Sequence, residues 1–325
     1  TDPCFRIEKP MVLEDLQTFI AVAHTRSFSK AAQRLRVAQS SLSKRVQRLE
    51  TDLGVALFLR HGRGVSLTES GTILLARADK LVREVQDIES DVRSATSEPV
   101  GPVRIAMPPV TAPVLAPLVF QDCRTHYPRI SPHLRENTSD NIHEWLLSGD
   151  IDLALLYNPE DSADFVVHPL LSEPLYLIAP AFDKTTGQPI AYAASYGIDD
   201  LARLPLILPR SPHSIRILVE RLCAGNGIQP DVRGESDSIR TTKGIVEIGL
   251  GCTIFSKGAL AEEIAQGRLR AIPFKSPLLS WTLCLVHPRR DNLSLAIMAV
   301  KRIITVQVGT LLKRGFWPDA RDLSA

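Results

Sequence analysis

Between Arg26 and Arg63 the chain carries nine lysines or arginines, at positions 26, 30, 34, 36, 44, 45, 48, 60 and 63, against two acids, Glu50 and Asp52. All 325 residues together net only +2, so the positive charge is concentrated in this stretch. Such a patch suits phosphate, because counterion release supplies most of the sequence-independent affinity for a duplex. Within it runs a series of small polar side chains, Gln39, Ser40, Ser41 and Ser43, at what reads as the start of a helix. Side chains of that size and polarity reach base edges. Catalytic chemistry has no comparable signal. GxGxxG, GxxxxGK, HExxH and GxSxG are all absent, and the eight histidines are dispersed. His213 beside Ser211 and Arg210 is the one polar cluster of note, and a Ser and His two residues apart do not establish a nucleophile and its base. An enzyme is not expected. Five scattered cysteines, Cys4, Cys123, Cys223, Cys252 and Cys284, form no CxxC pair, which predicts neither a disulfide framework nor a zinc site. A redox pair assembled in space stays open.

The basic stretch must be positioned by helices. Leu13, Leu16, Ile20 and Ala23 recur at helical spacing, with Phe19 beside them, and Ala31, Ala32 and Leu35 repeat the pattern. A turn near Arg36 to Gln39 and a basic hairpin after the next helix give a three-helix core with a wing, the layout of a winged helix-turn-helix. From Leu74 the residues Ala78, Leu81, Val85, Ile88 and Val92 follow at alternating steps of four and three. That heptad stripe predicts a partner helix, most simply the same helix of a second copy. Ser94 to Pro102, containing TSEPVGP, reads as a hinge.

Beyond it the pattern changes. Strands at Val103 to Met107, His133 to Glu136 and Asp152 to Tyr157 alternate with helices at Leu115 to Tyr127 and Ser139 to Leu147, which predicts a parallel sheet with crossovers. After Pro174 the alternation repeats, and Trp281 to Val286 with a last helix from Ser294 to Leu312 is expected to return to the first lobe. The expected whole is an all-α winged helix-turn-helix plus linker helix, followed by a two-lobed α/β domain with a cleft. The expected boundaries are 11–70, 71–98 and 99–325, with lobe 1 at about 103–174 and 279–325 and lobe 2 at about 175–278.

Ligands of such lobes sit beyond the carboxyl ends of strands, where helix N-termini point. Pro109 and Thr111 follow the first strand, and Thr138 and Ser139 precede a helix. Arg210, Ser211 and His213 follow LILP, and Arg240 opens a later helix. Free backbone N–H groups, hydroxyls and arginines favour a small anion such as a carboxylate. Thr138, Ser139, Ser211 and Ser238 equally suit helix capping. The 44% hydrophobic content and near-zero mean hydropathy fit a soluble protein of about two domains. No uninterrupted apolar run is long enough for a membrane helix, and TDPCFRIEKP carries no signal-peptide core, so no membrane partner and a cytoplasmic location are expected.

From Met11 to about Leu312 the chain resembles the LysR-type transcriptional regulators of bacteria, most densely in SFSKAAQRLRVAQSSLSKRVQRLETDLGVALFLRHGRGVSLTESG. VRIAMPPV, LAPLV, EWLLSGDIDLALLYNP and LILPRSPHSIR look like the nitrogen assimilation control branch. The resemblance implies a winged helix-turn-helix, a dimerising linker helix, an effector domain similar to periplasmic binding proteins, and tetramers built as dimers of dimers. It implies double-stranded DNA, a small-molecule effector and self as partners, without a cofactor. By position, Gln39, Ser40, Ser43, Lys44 and Arg45 would lie on the recognition helix, and Arg60 and Arg63 on the wing would meet phosphate or the minor groove. Arg34, Arg36 and Arg48 read as a solvated basic face. Two residues depart from the pattern. Ala38 stands where a capping hydroxyl is common, with Ser40 a candidate substitute, and Lys44 stands where Arg is frequent, which forfeits a planar fork. The competing readings are an exported solute receptor, which the basic head argues against, and a DNA-binding regulator whose lobed domain only oligomerises.

Overall fold

Phe19 and Leu16, fully buried on helix α1 (Leu13–Thr25), pack against Ala31 and Ala32 of α2 (Phe28–Leu35) and Leu42, Val46 and Leu49 of α3 (Gln39–Leu53). The computed structural model describes residues 11–61, 64–94, 98–160, 162–275, 279–289 and 293–324. Cys4, Arg63 and the centre of the expected hinge lie outside them. Ser27 caps α2 by accepting the Lys30 N–H, and Arg36, left-handed at φ 54°, closes it by donating to the Ala32 and Gln33 carbonyls. Leu35 was expected inside and is exposed. It is the last residue of a helix barely two turns long, and the chain swings away after it.

The wing is the antiparallel pair β1 (Phe58–His61) and β2 (Gly64–Leu67), with Phe58 opposite Leu67. The Phe58 ring meets Phe19 at 5.2 Å and Phe28 at 5.8 Å, which fixes the wing to the helical core. Glu50 accepts the Leu57 and Phe58 N–H groups at 2.8 and 3.2 Å. Arg48 is exposed, as expected of a solvated face, and from there it also grips Asp15, buried on α1, with Nε at 2.8 Å and Nη2 at 2.5 Å. Helix α4 (Glu69–Ser94) follows, and its Ala78 and Val82 join the core of the head. Leu74 packs against that core and Val85 is half-buried, while Leu81, Ile88 and Val92 of the stripe face outward, 50%, 55% and 68% exposed.

The chain divides into two compact units, Thr1–Ala95 and Thr96–Ala325. In the second, β3 (Gly101–Met107) lies between β4 (Ile130–Glu136) and β5 (Leu153–Tyr157), all parallel, with α5 (Ala112–His126) and α6 (Ser139–Leu147) as crossovers. The expected parallel sheet stops there. Strand β6 (Phe165–Pro180) runs 16 residues through the place read as a break at Pro174. Its first part pairs antiparallel with β11 (Ser280–Pro288), which itself pairs antiparallel with β5. Its second part pairs antiparallel with β9 (Thr253–Ser256) and β10 (Leu269–Pro273). Pro174 marks the handover between these partners, a position where a missing N–H is tolerated. One continuous strand therefore belongs to both lobes.

The second lobe adds β7 (Leu206–Leu208) parallel to β8 (Val232–Glu235), with α7 (Ser214–Gly225), α8 (Ile239–Glu247) and the short α9 (Ala261–Ala265). Helix α10 (Leu295–Lys313) returns to α5 and β3. Among the described residues it alone is long and apolar enough to cross a membrane, and its buried Ala296, Ile297, Val300, Ile304 and Val308 show why a core helix needs that composition. Strand β12 (Arg321–Asp322) ends on β6.

At the start of α4, the Thr68 hydroxyl donates to the Ala56 carbonyl and accepts the Gly71 N–H. A Cβ at Gly71 would run into the Leu57 carbonyl. Gly71→Ala is therefore expected to destabilise the head by roughly 1–3 kcal/mol, the usual range for overpacking. Thermal unfolding of the full chain checks this, and an unchanged transition contradicts it.

Candidate functional site

The first candidate face is the start of α3. Ala38 is its N-cap, and no side chain caps the helix, so Ser40 does not take over that task. Leu42, Val46 and Leu49 turn into the core, which leaves Gln39, Ser40 and Lys44 exposed and Ser43 half-buried. Gln39 is tied back to α2, accepting from the Ser29 hydroxyl at 2.9 Å. Arg45 is half-buried and paired with Glu14 of α1 at 2.9 Å, so its charge is committed within the head. Lys30, Arg34, Arg36 and Lys44 have no hydrogen-bonded or ionic partner for their charged groups among the described residues. Arg60 lies on β1, but its side chain, like the whole of Arg63, lies outside the described residues. The structure thus gathers Gln39, Ser40, Ser43 and Lys44 on one helix beside uncompensated cations. A polyanion would bind there with little to displace but counterions.

The second candidate is a cavity of about 1380 Å³ between the lobes of the C-terminal unit. Seven of the eight residues expected there line it: Pro109, Thr138, Ser139, Arg210, Ser211, His213 and Arg240. Thr111 does not. It is fully buried at the start of α5, facing the core, because the loop after β3 turns Pro109 and Val110 outward first. Three helices of at least nine residues begin at the cavity: α6 after Thr138, α7 after His213 and α8 after Ser238. Ser238 is a cap, accepting the Thr241 N–H, and His213 Nδ1 accepts the Ile215 N–H at 3.2 Å. That bond places the imidazole proton on Nε2, and burial lowers the His213 pKa, so the ring stays neutral. Ser139 Oγ accepts the Tyr157 N–H at 3.3 Å, leaving its proton to donate.

Charge in the cavity is mixed. Lys243 pairs with Glu263 at 3.0 Å and Arg268 with Glu247, neither of which was anticipated from the sequence. The Arg210 and Arg240 guanidinium groups have no carboxylate partner among the described residues. The aromatic floor was missed as well. Tyr157 and Trp281 stack at 3.7 Å and 18°, and Phe255 meets Trp281 edge-on at 5.3 Å. Behind them lies Glu173, whose Oε1 accepts from Tyr157 Oη at 2.9 Å and Trp281 Nε1 at 2.7 Å. Burial pushes its carboxyl up to about 7, against the pull of these donors. A carboxylate inside the apolar run LLSEPLYLIA was the available signal.

The open redox question has an answer for the four described thiols. Cys123, Cys223, Cys252 and Cys284 are all free and buried. Burial raises each pKa, to about 11 for Cys123, Cys252 and Cys284, which disfavours the reactive thiolate.

Residues 13–72 match the family described as bacterial regulatory helix-turn-helix protein, lysR family, and residues 96–307 match the LysR substrate binding domain. The transcriptional regulator BbuR of Bordetella bronchiseptica is 30% identical over 312 residues, 95% of this chain and 94% of that one. The nitrogen assimilation regulatory protein nac of Klebsiella aerogenes is 29% identical over 90% of this chain and 94% of its own. Among solved structures, full-length OxyR C199D from Pseudomonas aeruginosa superposes with a TM-score of 0.68 at 25% identity, covering 92% of this chain and 95% of that one. CbnR complexed with its target DNA shares the fold, with a TM-score of 0.66 at 22% identity over 92% of this chain and all of the other.

The His213 cap has a pH signature. Its folded-state pKa lies below the ordinary 6.5, so the unfolded chain takes the proton first and stability is lost as pH falls below 6.5. His213→Asn, a capping residue that does not titrate, is expected to reduce the fall in melting temperature between about pH 7 and pH 5. A variant that loses stability as steeply as the wild type contradicts the neutral cap.

Proposed function

The chain belongs to the LysR family of bacterial helix-turn-helix regulators, and we propose that paired α3 helices of its dimer read operator DNA while the C-terminal cleft takes up a small anionic effector. Residues 11–70 serve as the DNA-reading head, 71–98 as the dimerising helix and 99–325 as the sensor. One observation carries the DNA half: Lys30 and Arg34 of α2, Arg36 at its end and Lys44 of α3 have no acid to neutralise them among the described residues. Ser40, Ser43 and Lys44 are the base-reading candidates, with Gln39 held in place from α2. The relative CbnR has been solved with its target DNA, which agrees with this use of the head.

Leu81, Ile88 and Val92, exposed on α4 at steps of seven and four, need a partner helix, and the same stripe on a second copy supplies one. Two heads on one dimer then meet two half-sites, and dimers of dimers extend the footprint. In the cleft, Arg210 and Arg240 with the α6, α7 and α8 starts suit a carboxylate. The protein works by binding, in the cytoplasm and without a cofactor. An effector that binds one arrangement of the assembly more tightly shifts its population and with it the DNA affinity.

Lys44→Ala is expected to weaken operator binding roughly tenfold, about 1.4 kcal/mol, at fixed salt. Arg45→Ala, whose charge is already spent on Glu14, is expected to change it less. Gel shifts on both variants decide, and equal losses contradict the assignment. For the cleft, carboxylic acids that raise the melting temperature of the wild type are expected to lose that effect with Arg210→Ala and Arg240→Ala. Undiminished stabilisation of both variants would place the ligand elsewhere.

A further inference from the structure

We propose that Glu173 is the positioning residue of the effector cleft: from the strand shared by both lobes its carboxylate fixes the Tyr157–Trp281 stack, so that the proton on Glu173 and the shape of the cleft floor are linked. The inference rests on reading this cavity as the effector site. Glu173 is 1% exposed and stands directly opposite Trp281 in the β6–β11 ladder. Its Oε1 accepts from both stacked residues, at 2.9 Å from Tyr157 and 2.7 Å from Trp281. The Ser256 hydroxyl of β9, on the strand paired with the second half of β6, also favours the ionised carboxylate. One carboxylate thus joins β5 and β11 of the first lobe to β9 of the second, with Tyr157, Trp281 and Phe255 lining the cavity on its other side.

The groups turned on this carboxylate, Tyr157 from β5, Trp281 from β11 and Ser256 from β9, are all neutral donors. The nearby cation on β9's end, Lys257, is held by Asp319 at 2.8 Å, and Asp319 also accepts from Tyr176 Oη at 2.7 Å. Without a counterion, burial lifts the carboxyl to about 7. Bonds to an ionised acceptor are about twice as strong as bonds to a neutral one, so protonation loosens the hold on both rings. By linkage, a ligand that favours one state of the floor changes the proton affinity of Glu173, and the proton changes the affinity for that ligand equally.

Tryptophan emission of the full chain, followed between about pH 5.5 and pH 8.5, reports Trp281 together with Trp145 and Trp317, and comparison with Trp281→Phe isolates its share. The wild type is expected to show one single-proton transition centred near pH 7. Glu173→Gln and Trp281→Phe are each expected to abolish it while far-ultraviolet circular dichroism stays native. Tyr157→Phe, which removes one donor to the ionised form, is expected to move the midpoint upward, and it decides the matter if Glu173→Gln does not fold. A transition that persists in Trp281→Phe or in folded Glu173→Gln, a midpoint unmoved in Tyr157→Phe, or no transition in the wild type overturns the proposal. Failure of the cavity reading is distinguishable: carboxylic acids would then leave the melting temperature unchanged while the titration near pH 7 remained.

Discussion

The buried Asp15 carboxylate governs how this head distributes its positive charge. A carboxylate taken out of water on α1 requires a cation, and Arg48 reaches across from α3 to supply both its bonds. One turn earlier, Arg45 meets Glu14. Two of the basic residues on α3 therefore hold α1 against it, while Lys44 and Ser40, one and two turns before Arg48 along the helix, stay exposed. The remaining cations stay unmatched within the head. A surface left with this much unpaired charge on a helical frame is complementary to a duplex backbone.

The sensor half depends on a different constraint, the continuity of β6. Since one strand serves both lobes, a change in how they close acts along it. The cavity lies beside that seam. Its polar wall comes from helix starts and two arginines without a carboxylate partner among the described residues, and its floor from aromatic rings whose donors converge on a single buried acid. The cavity lining and the lobe seam thereby meet in neighbouring residues.

Much of this was legible in the sequence for simple reasons. Apolar residues at helical spacing must face a core, so α1, α3, α6 and α10 were readable to within a few residues. Loops that follow strands and precede helices place their residues at a strand's carboxyl end, which located seven cleft residues. Thr111 misled because a residue two past its neighbour on such a loop can turn either way, and only the packed structure decides. Partners distant in sequence left no trace: nothing local ties Arg48 to Asp15 or Trp281 to Glu173. Pro174 read as a break because proline usually ends a strand, whereas here it occupies the one handover point where its missing N–H is harmless. Leu35 fitted the stripe but is the last residue of its short helix, where the chain swings away from the core.

The cations around α3 that lack partners among the described residues are expected to bind duplex phosphates, and the salt dependence of binding between this chain and fragments of its own genome measures this. The logarithm of the association constant should fall linearly with the logarithm of salt concentration, with a slope of about −0.9 per phosphate neutralised. Binding that ignores salt, or no duplex binding even at low ionic strength, would contradict it.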